Sequence, residues 1–187
     1  MRIEKLRTNY QIDVKFVQFP LHPETPEEGL TLEELFAGRD IDLPSSQARM
    51  LRLMEEEGLP YGDRTMTCNS RLAQELAKWA ETQPIGERVH DVLFRAYFVD
   101  GVNLAKIESL VAIAEQAGAS PGEARDILSQ RSFREAVDLD WQRSRELGVT
   151  SVPTFVAGRQ GVAGAQPYEL LEQLVVDAGA TLRNDPA

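Results

Sequence analysis

The 187-residue chain predicts an α/β domain interrupted by a long helical block, rather than two domains joined by a linker. Three observations carry this. A run with strand alternation, Gln11 to Pro20, stands near the start. Almost everything from Leu30 to Leu147 follows a helical period. Two short β runs around Gly158-Arg159 and one more helix with an apolar stripe follow that block. No internal repeat or low-complexity stretch separates these parts.

Arg2 to Arg7 reads as the end of a helix, short and charged, with Ile3 and Leu6 three apart. In Gln11–Pro20 (QIDVKFVQFP), Ile12, Val14 and Phe16 alternate, and Val17 and Phe19 follow. β-Branched and aromatic residues dominate, so this is the clearest strand. Pro20, Pro23 and Pro26 then stop regular structure. Thr31 to Ala37 is a short helix candidate, and Pro44 to Glu57 a longer one with Ala48, Leu51 and Met54 apolar and Gly58 as its C-terminal cap. Asn69 is expected to cap a helix running to Glu81, with Leu72, Ala73, Leu76, Ala77 and Ala80 as its stripe. Pro84 opens the next helix, with Val89, Val92, Leu93, Ala96 and Tyr97 on one side. Asn103 starts another, which ends at Gly118. Ser120 with Glu123, and Ser132 with Glu135, have capping-box spacing, in which both side chains satisfy orphaned backbone donors. The second of these helices runs to Leu147 and stops at Gly148. Thr154–Val156 and Gln160–Ala163 make a hairpin, and Pro167 opens a last helix that ends near Gly179, beyond which Arg183 to Ala187 read as frayed.

Charge and composition exclude several functions. With 20 Lys+Arg against 30 Asp+Glu, the net charge is −10, the wrong sign for replacing counterions on nucleic acid or for binding anionic membranes. No apolar run approaches the length of a membrane-spanning helix, and the first residues lack the apolar core of a signal peptide, so a cytoplasmic protein is expected. The single cysteine, Cys68, excludes an internal disulfide, a C-x-x-C pair and a thiolate zinc site within these residues. His22 and His90 are too few for a His-rich metal cage, and no metal ligand is assigned. Cys68 precedes a helix start, where a positive helix end favours the thiolate, but no second thiol stands by, and it reads as a half-buried packing residue. His22 in its loop and His90 on a helix side read as ordinary residues, and Trp79 and Trp141 as core or half-core. Glu55-Glu56-Glu57 point about 100° apart around a helix and form a solvated helix end.

The most informative stretch is Leu147–Pro167, LGVTSVPTFVAGRQGVAGAQP. Pro153 stands where a proline suits the first residue of a strand, and where a cis X–Pro bond costs about 0.5–1 kcal/mol against trans. A cis Val152–Pro153 bond is expected, leaving the backbone groups of Val152 free to pair with an extended peptide. The plainer reading of Pro153 alone is a turn. The whole stretch resembles the DsbA-like branch of the thioredoxin superfamily, in which G-V-x-x-V-P-T-F is followed by a hairpin and S/A-G-A-Q-P. Gly148-Val149, Val152-Pro153-Thr154-Phe155 and Gly164-Ala165-Gln166-Pro167 match that pattern. Phe16–Pro23 looks like the family's second strand and loop. Asn69-Ser70 with Ala73 looks like its N-(T/S)-x-x-A helix start, although Gln74 stands where His is frequent. Leu93–Phe98 resembles its mid-insertion helix. The resemblance spans Arg2 to Ala178 and is to cytoplasmic DsbA-like proteins, related to 2-hydroxychromene-2-carboxylate isomerases and kappa-class glutathione transferases.

The resemblance implies a thioredoxin-like α/β fold with a large all-helical insertion and the first central strand absent. Residues 1–187 are then a single domain, with 1–26 and 148–180 as the thioredoxin parts and 27–147 as the insertion. It implies substrate binding by Val152, Pro153, Thr154 and Asn69. In the family the chemistry lies in a C-P-x-C turn opening the first helix, where the helix end activates the first thiol. The isomerase and transferase relatives carry a serine there. Met1–Arg7 resembles the rear of that helix, so neither turn is present and no catalytic residue is assigned. The implied function is thus that of a thiol–disulfide oxidoreductase family member, inactive as this shortened chain, whose start is expected to be a natural truncation or a start codon placed too late. Its partners in an intact homologue would be protein thiols and disulfides or a small thiol, and no cofactor is expected. The alternatives are a glutathione-dependent isomerase or transferase on the same fold, and a non-catalytic binding module. Strand Gln11–Phe19 and the hairpin should then flank a vacant position about 10 Å wide, because neighbouring strands lie about 4.8 Å apart, and so leave unpaired edges. The sequence assigns no oligomeric state.

Overall fold

In the computed structural model, which describes residues 2–183, the chain opens on helix α1 (Arg2–Asn9). This helix reaches past the predicted end at Arg7, because Leu6 turns inward and Tyr10 N–H still donates to the Leu6 carbonyl. Strand β1 (Leu30–Thr31) runs directly into helix α2 (Leu32–Leu35). A complete capping box fixes that junction. The Thr31 hydroxyl accepts from Glu34 N–H at 3.1 Å, and the Glu34 carboxylate accepts from Thr31 N–H at 2.8 Å. Helix α3 (Leu43–Glu56) begins at an Asp42 cap, and strand β2 (Met66–Thr67) pairs antiparallel with β1. This two-residue sheet was not legible in the sequence, since no alternation can show over so short a run.

Helices α4 (Arg71–Ala80), α5 (Gly86–Phe98), α6 (Ile107–Gln116) and α7 (Pro121–Ser129) follow. They build one core in which Leu76, Ala80, Val89, Leu110 and Leu128 are fully buried. Trp79 is buried in it, while Trp141 is half-buried. Two expected helix starts shift for one reason. Asn69 and Asn103 each turn the carboxamide oxygen onto a backbone N–H two residues on, Arg71 at 2.9 Å and Ala105 at 2.8 Å. Such Asx turns compete with helix, so α4 starts at Arg71 and α6 only at Ile107. Ser120 caps α7 through Glu123 N–H. The capping box expected at Ser132 and Glu135 does not form among the described hydrogen bonds. Arg131 takes a positive φ of 54° there, and α8 (Arg134–Glu146) begins after that turn.

Strands β3 (Thr154–Ala157) and β4 (Gln160–Ala163) form the expected hairpin, with Thr154 opposite Ala163 and Ala157 opposite Gln160. Helix α9 (Tyr168–Asp177) packs on both strands and on α1. The small core here is Leu6, Tyr10 and Leu171, with Phe155 and Val162 against it. The expected fraying of Arg183–Ala187 falls, from residue 184 on, outside the described residues.

The expected strand Gln11–Pro20 is corrected: these residues form neither strand nor helix. The alternation supplies β propensity, but a strand also needs a partner, and no ladder joins 12–19 to β3 or β4. The segment is held at its ends instead. Tyr10 bridges Leu182, and Gln11 N–H donates to the Thr181 carbonyl at 2.8 Å. At the other end Gln18 N–H donates to the Asp140 carboxylate at 3.0 Å.

The chain divides into two compact units. One is Pro20–Leu139, and the other joins the described residues of Met1–Phe19 and Asp140–Ala187. Each has its own core. No helix among the described residues is long and apolar enough to cross a membrane.

Candidate functional site

The residues that lead into β3 are built from the helix before it. Helix α8 stops where Gly148 takes φ of 67°, the left-handed conformation that a glycine after a helix adopts without Cβ strain. Val149 N–H closes the helix end on the Ser144 carbonyl at 2.9 Å. The chain then bends through Ser151 and Val152. The Thr154 hydroxyl donates to the Ser151 carbonyl at 2.7 Å, and the Val152–Pro153 peptide is cis. Gly164 N–H donates to the Pro153 carbonyl at 2.7 Å, which ties the turn to the end of β4. Pro153 is exposed, Thr154 half-buried, and Val152 is 46% exposed.

Two groups of donors and acceptors remain open at this turn. Neither backbone group of Val152 enters a backbone–backbone hydrogen bond among the described residues. Among the described residues strand β3 is paired to β4 alone in a two-stranded sheet, so its second edge has no strand partner there. An edge of this kind is a template for an extended chain, which would add main-chain hydrogen bonds along it.

Val152, Pro153 and Thr154, three of the four expected substrate-binding residues, are therefore consecutive on one exposed turn. Asn69, the fourth, belongs to the helical unit. Its carboxamide nitrogen donates to the Pro23 carbonyl at 3.0 Å and the Thr25 carbonyl at 2.8 Å, and its oxygen accepts from Arg71. It holds the proline-rich loop against the start of α4.

Cys68 is half-buried beside the helical core. Burial pushes its thiol above the ordinary range. The Leu104 N–H that donates to Sγ at 3.2 Å and the Arg64 charge pull the other way without overcoming burial. The helix-start effect considered from sequence thus does not produce a thiolate, and Cys68 is a protonated packing thiol at neutral pH. It lines a cleft with Arg64, Thr67, Tyr97 and Asn103. The Arg64 guanidinium donates to the Tyr97 hydroxyl at 2.5 Å and lies 4.8 Å from the Tyr97 ring centre. Burial holds His90 below the ordinary imidazole range, so it is neutral near pH 7. His22 takes φ of 54° in its loop, with Nδ1 3.7 Å from Glu24. No group of three His, Cys, Asp or Glu side chains that could hold a metal exists among the described residues.

One charged centre escaped the sequence analysis. Glu75 lies inside α4 with no exposure, gripped by Arg71 at 2.9 Å and by Arg131 at 2.6 Å. Arg71 reaches on to Asp138 at 2.8 Å. The local signal was the Arg71–Glu75 spacing of four. Arg131 comes from 56 residues away, and no local pattern announces it.

Comparison with known proteins bears on this geometry. A family model described as the DSBA-like thioredoxin domain matches residues 1–176. A solved structure, "probable DsbA oxidoreductase" from Streptomyces coelicolor, superposes with a TM-score of 0.85 at 27% identity, over 100% of this chain and 84% of that one. The uncharacterized protein YwbO of Bacillus subtilis (strain 168) is 25% identical over 107 residues, 57% of this chain. The chain covers 54% of that curated relative, about half its length.

Proposed function

The chain belongs to the DSBA-like thioredoxin family, and from that premise we propose that it uses the Val152–Thr154 turn to hold extended, thiol-bearing or disulfide-bearing polypeptide, as a thiol–disulfide oxidoreductase-type domain that has no redox turnover of its own in the sequence given. One observation carries the reading: among the described residues, the backbone groups of Val152 and the outer edge of β3, which follows it, have no backbone partner. Val152 would align the substrate through its N–H and C=O, Pro153 would hold the turn, and Thr154 would start the pairing edge. Asn69 would act by position, fixing the loop at Pro23–Thr25. The expected setting is the cytoplasm, in keeping with a single cysteine and an acidic composition.

The absence of turnover follows from thiol chemistry. An attacking thiolate displaces one sulfur of a disulfide and becomes a mixed disulfide, and a second thiol must then displace it to complete the cycle. These residues contain one cysteine, and it is held protonated. Insulin reduction in dithiothreitol should therefore proceed at the same rate with the protein as with its Cys68→Ala variant. A rate well above that variant would overturn the statement. Binding is tested separately by titrating isotope-labelled protein with an unstructured peptide. Amide shifts are expected at Val152 and through Thr154–Val156, and shifts that leave these residues untouched would refute the site.

A further inference from the structure

We propose that the cleft between β2 and the end of α5 is a binding site for a small organic carboxylate, held by the guanidinium of Arg64 and the hydroxyl pair of Thr67 and Tyr97. The site lies within the helical unit, and the proposal does not rest on the Val152 turn. An arginine has five N–H donors in a planar fork and always carries its charge. Arg64 spends Nε on the Met66 carbonyl at 3.2 Å and one Nη2 donor on the Tyr97 hydroxyl at 2.5 Å. Both acceptors are neutral. The two donors of Nη1 and the second of Nη2 are unspent, and Arg64 forms no ion pair among the described residues. Its position is nevertheless fixed. Gln47 donates to the Arg64 carbonyl at 2.7 Å, and the guanidinium lies 4.8 Å from the Tyr97 ring centre and 5.8 Å from that of Phe98. Such a fork takes a carboxylate through two parallel hydrogen bonds. One that is held in place beforehand loses little freedom on binding.

The hydroxyl pair supplies a further donor. Thr67 Oγ1 and Tyr97 Oη lie 3.1 Å apart, and one of their two O–H groups makes the bond between them. The other O–H has no partner among the described residues, and both side chains line the cleft. Size and charge then narrow the class of ligand. The cleft holds about 70 Å³, room for about five atoms of the size of a water molecule. Met66 and Val102 line it beside the polar groups, which suits a short alkyl chain on the carboxylate. Arg64 is the single cation along its wall among the described residues. Asp63 stands on the same wall, exposed and without an ion pair to Arg64. One negative charge is thus balanced by Arg64, whereas a dianion such as sulfate would meet Asp63 with its second charge uncompensated.

Titration of isotope-labelled protein with sodium propionate, against sodium chloride at matched ionic strength, tests this. Saturating amide shifts are expected at Met66–Cys68 and at Val102–Asn103, with half-saturation in the millimolar range. Propionate should also slow the alkylation of Cys68 by iodoacetamide severalfold, because that thiol lines the same cleft. Arg64→Lys keeps the charge and loses the fork, and should weaken binding about tenfold. Tyr97→Phe keeps the cation and removes the shared hydroxyl, and should weaken binding severalfold. It gives a second reading if Arg64→Lys disturbs the turn into β2. Shifts no larger than those with chloride, binding unchanged in both variants, or sulfate bound as tightly as propionate would each overturn the proposal. The last result would mean that the cleft selects charge and not a carboxylate.

Discussion

Glu75 shows what one side chain does in this fold. Burial alone would raise its carboxyl out of the usual range, but the Arg131 and Arg71 guanidiniums more than offset that and leave it below the ordinary carboxylate value. A carboxyl depressed in the folded state stabilises the fold fully above its unfolded pKa, and that contribution disappears as pH falls through the folded value. Glu75→Gln should cost about 2 kcal/mol at neutral pH, because it leaves Arg71 and the partly exposed Arg131 facing a neutral group at a buried position. Urea titrations at neutral and acid pH check this, and the variant should lose less stability than the parent on acidification. Cys68 gives a second prediction at this scale. Because burial raises its thiol, alkylation by iodoacetamide should be slower than for free cysteine at neutral pH, and the rate should still climb with pH beyond the ordinary thiol range. A plateau near neutrality would show that the Arg64 charge wins after all.

At the scale of elements, two glycines separate close approach from mere flexibility. Gly62 N–H donates to the Phe98 carbonyl at 2.8 Å, and a Cβ on it would collide with the Val99 carbonyl oxygen. Backbone meets backbone there, so Gly62→Ala must push the chain away from the end of α5. A loss of about 2–3 kcal/mol is expected in thermal melts. Gly122 lies in the first turn of α7, and a Cβ on it would meet only the Ser120 hydroxyl, at 3.9 Å. Gly122→Ala should therefore stabilise the protein by about 0.5–1 kcal/mol in the same measurement. These opposite signs cannot be read from the sequence, where each is simply a glycine followed by an acidic residue. What was legible at this scale depends on whether a signal is local. The helices of the central block and the β3–β4 hairpin came from periodicity and turn residues. The ends of α4 and α6 did not, because Asn69 and Asn103 are equally good as caps and as Asx turns. The segment Gln11–Phe19 failed for a deeper reason, since a strand is a relation between two chains and alternation describes only one.

Across the whole molecule, the two cores differ in size. The helical one buries residues from α4, α5, α6 and α7, whereas the other rests on Leu6, Tyr10 and Leu171. Native-state hydrogen exchange should therefore find the slowest amides at Leu76, Leu110 and Leu128, and earlier exchange in α1 and α9. Equal protection in both would mean that the small core is reinforced by contacts beyond those residues. The candidate site follows the same division between local and distant signals. The Val152–Pro153–Thr154 turn was legible because its whole pattern lies in one stretch. The Arg64–Tyr97 cleft and the Glu75 clamp were not, because their parts come from helices and from loops distant in sequence.

The contacts that close α1 onto α9 also fix an order of events during synthesis. Arg2 bonds the Gln166 carbonyl across 164 residues, Asn9 bonds Tyr168 across 159, and Arg183 bonds the Arg7 carbonyl across 176. Pairings this distant in sequence form late, and on the ribosome they cannot form until the last helix has emerged. Residues 2–19, with the apolar Ile12, Val14, Phe16 and Val17 among them, are made before the helical block, and α1 meets α9 only after it. Residues 20–139 meanwhile hold the makings of their own core and can condense as they appear. An apolar, strand-prone segment thus waits while the helical block is translated, the interval in which a chaperone that grips short apolar segments would find it.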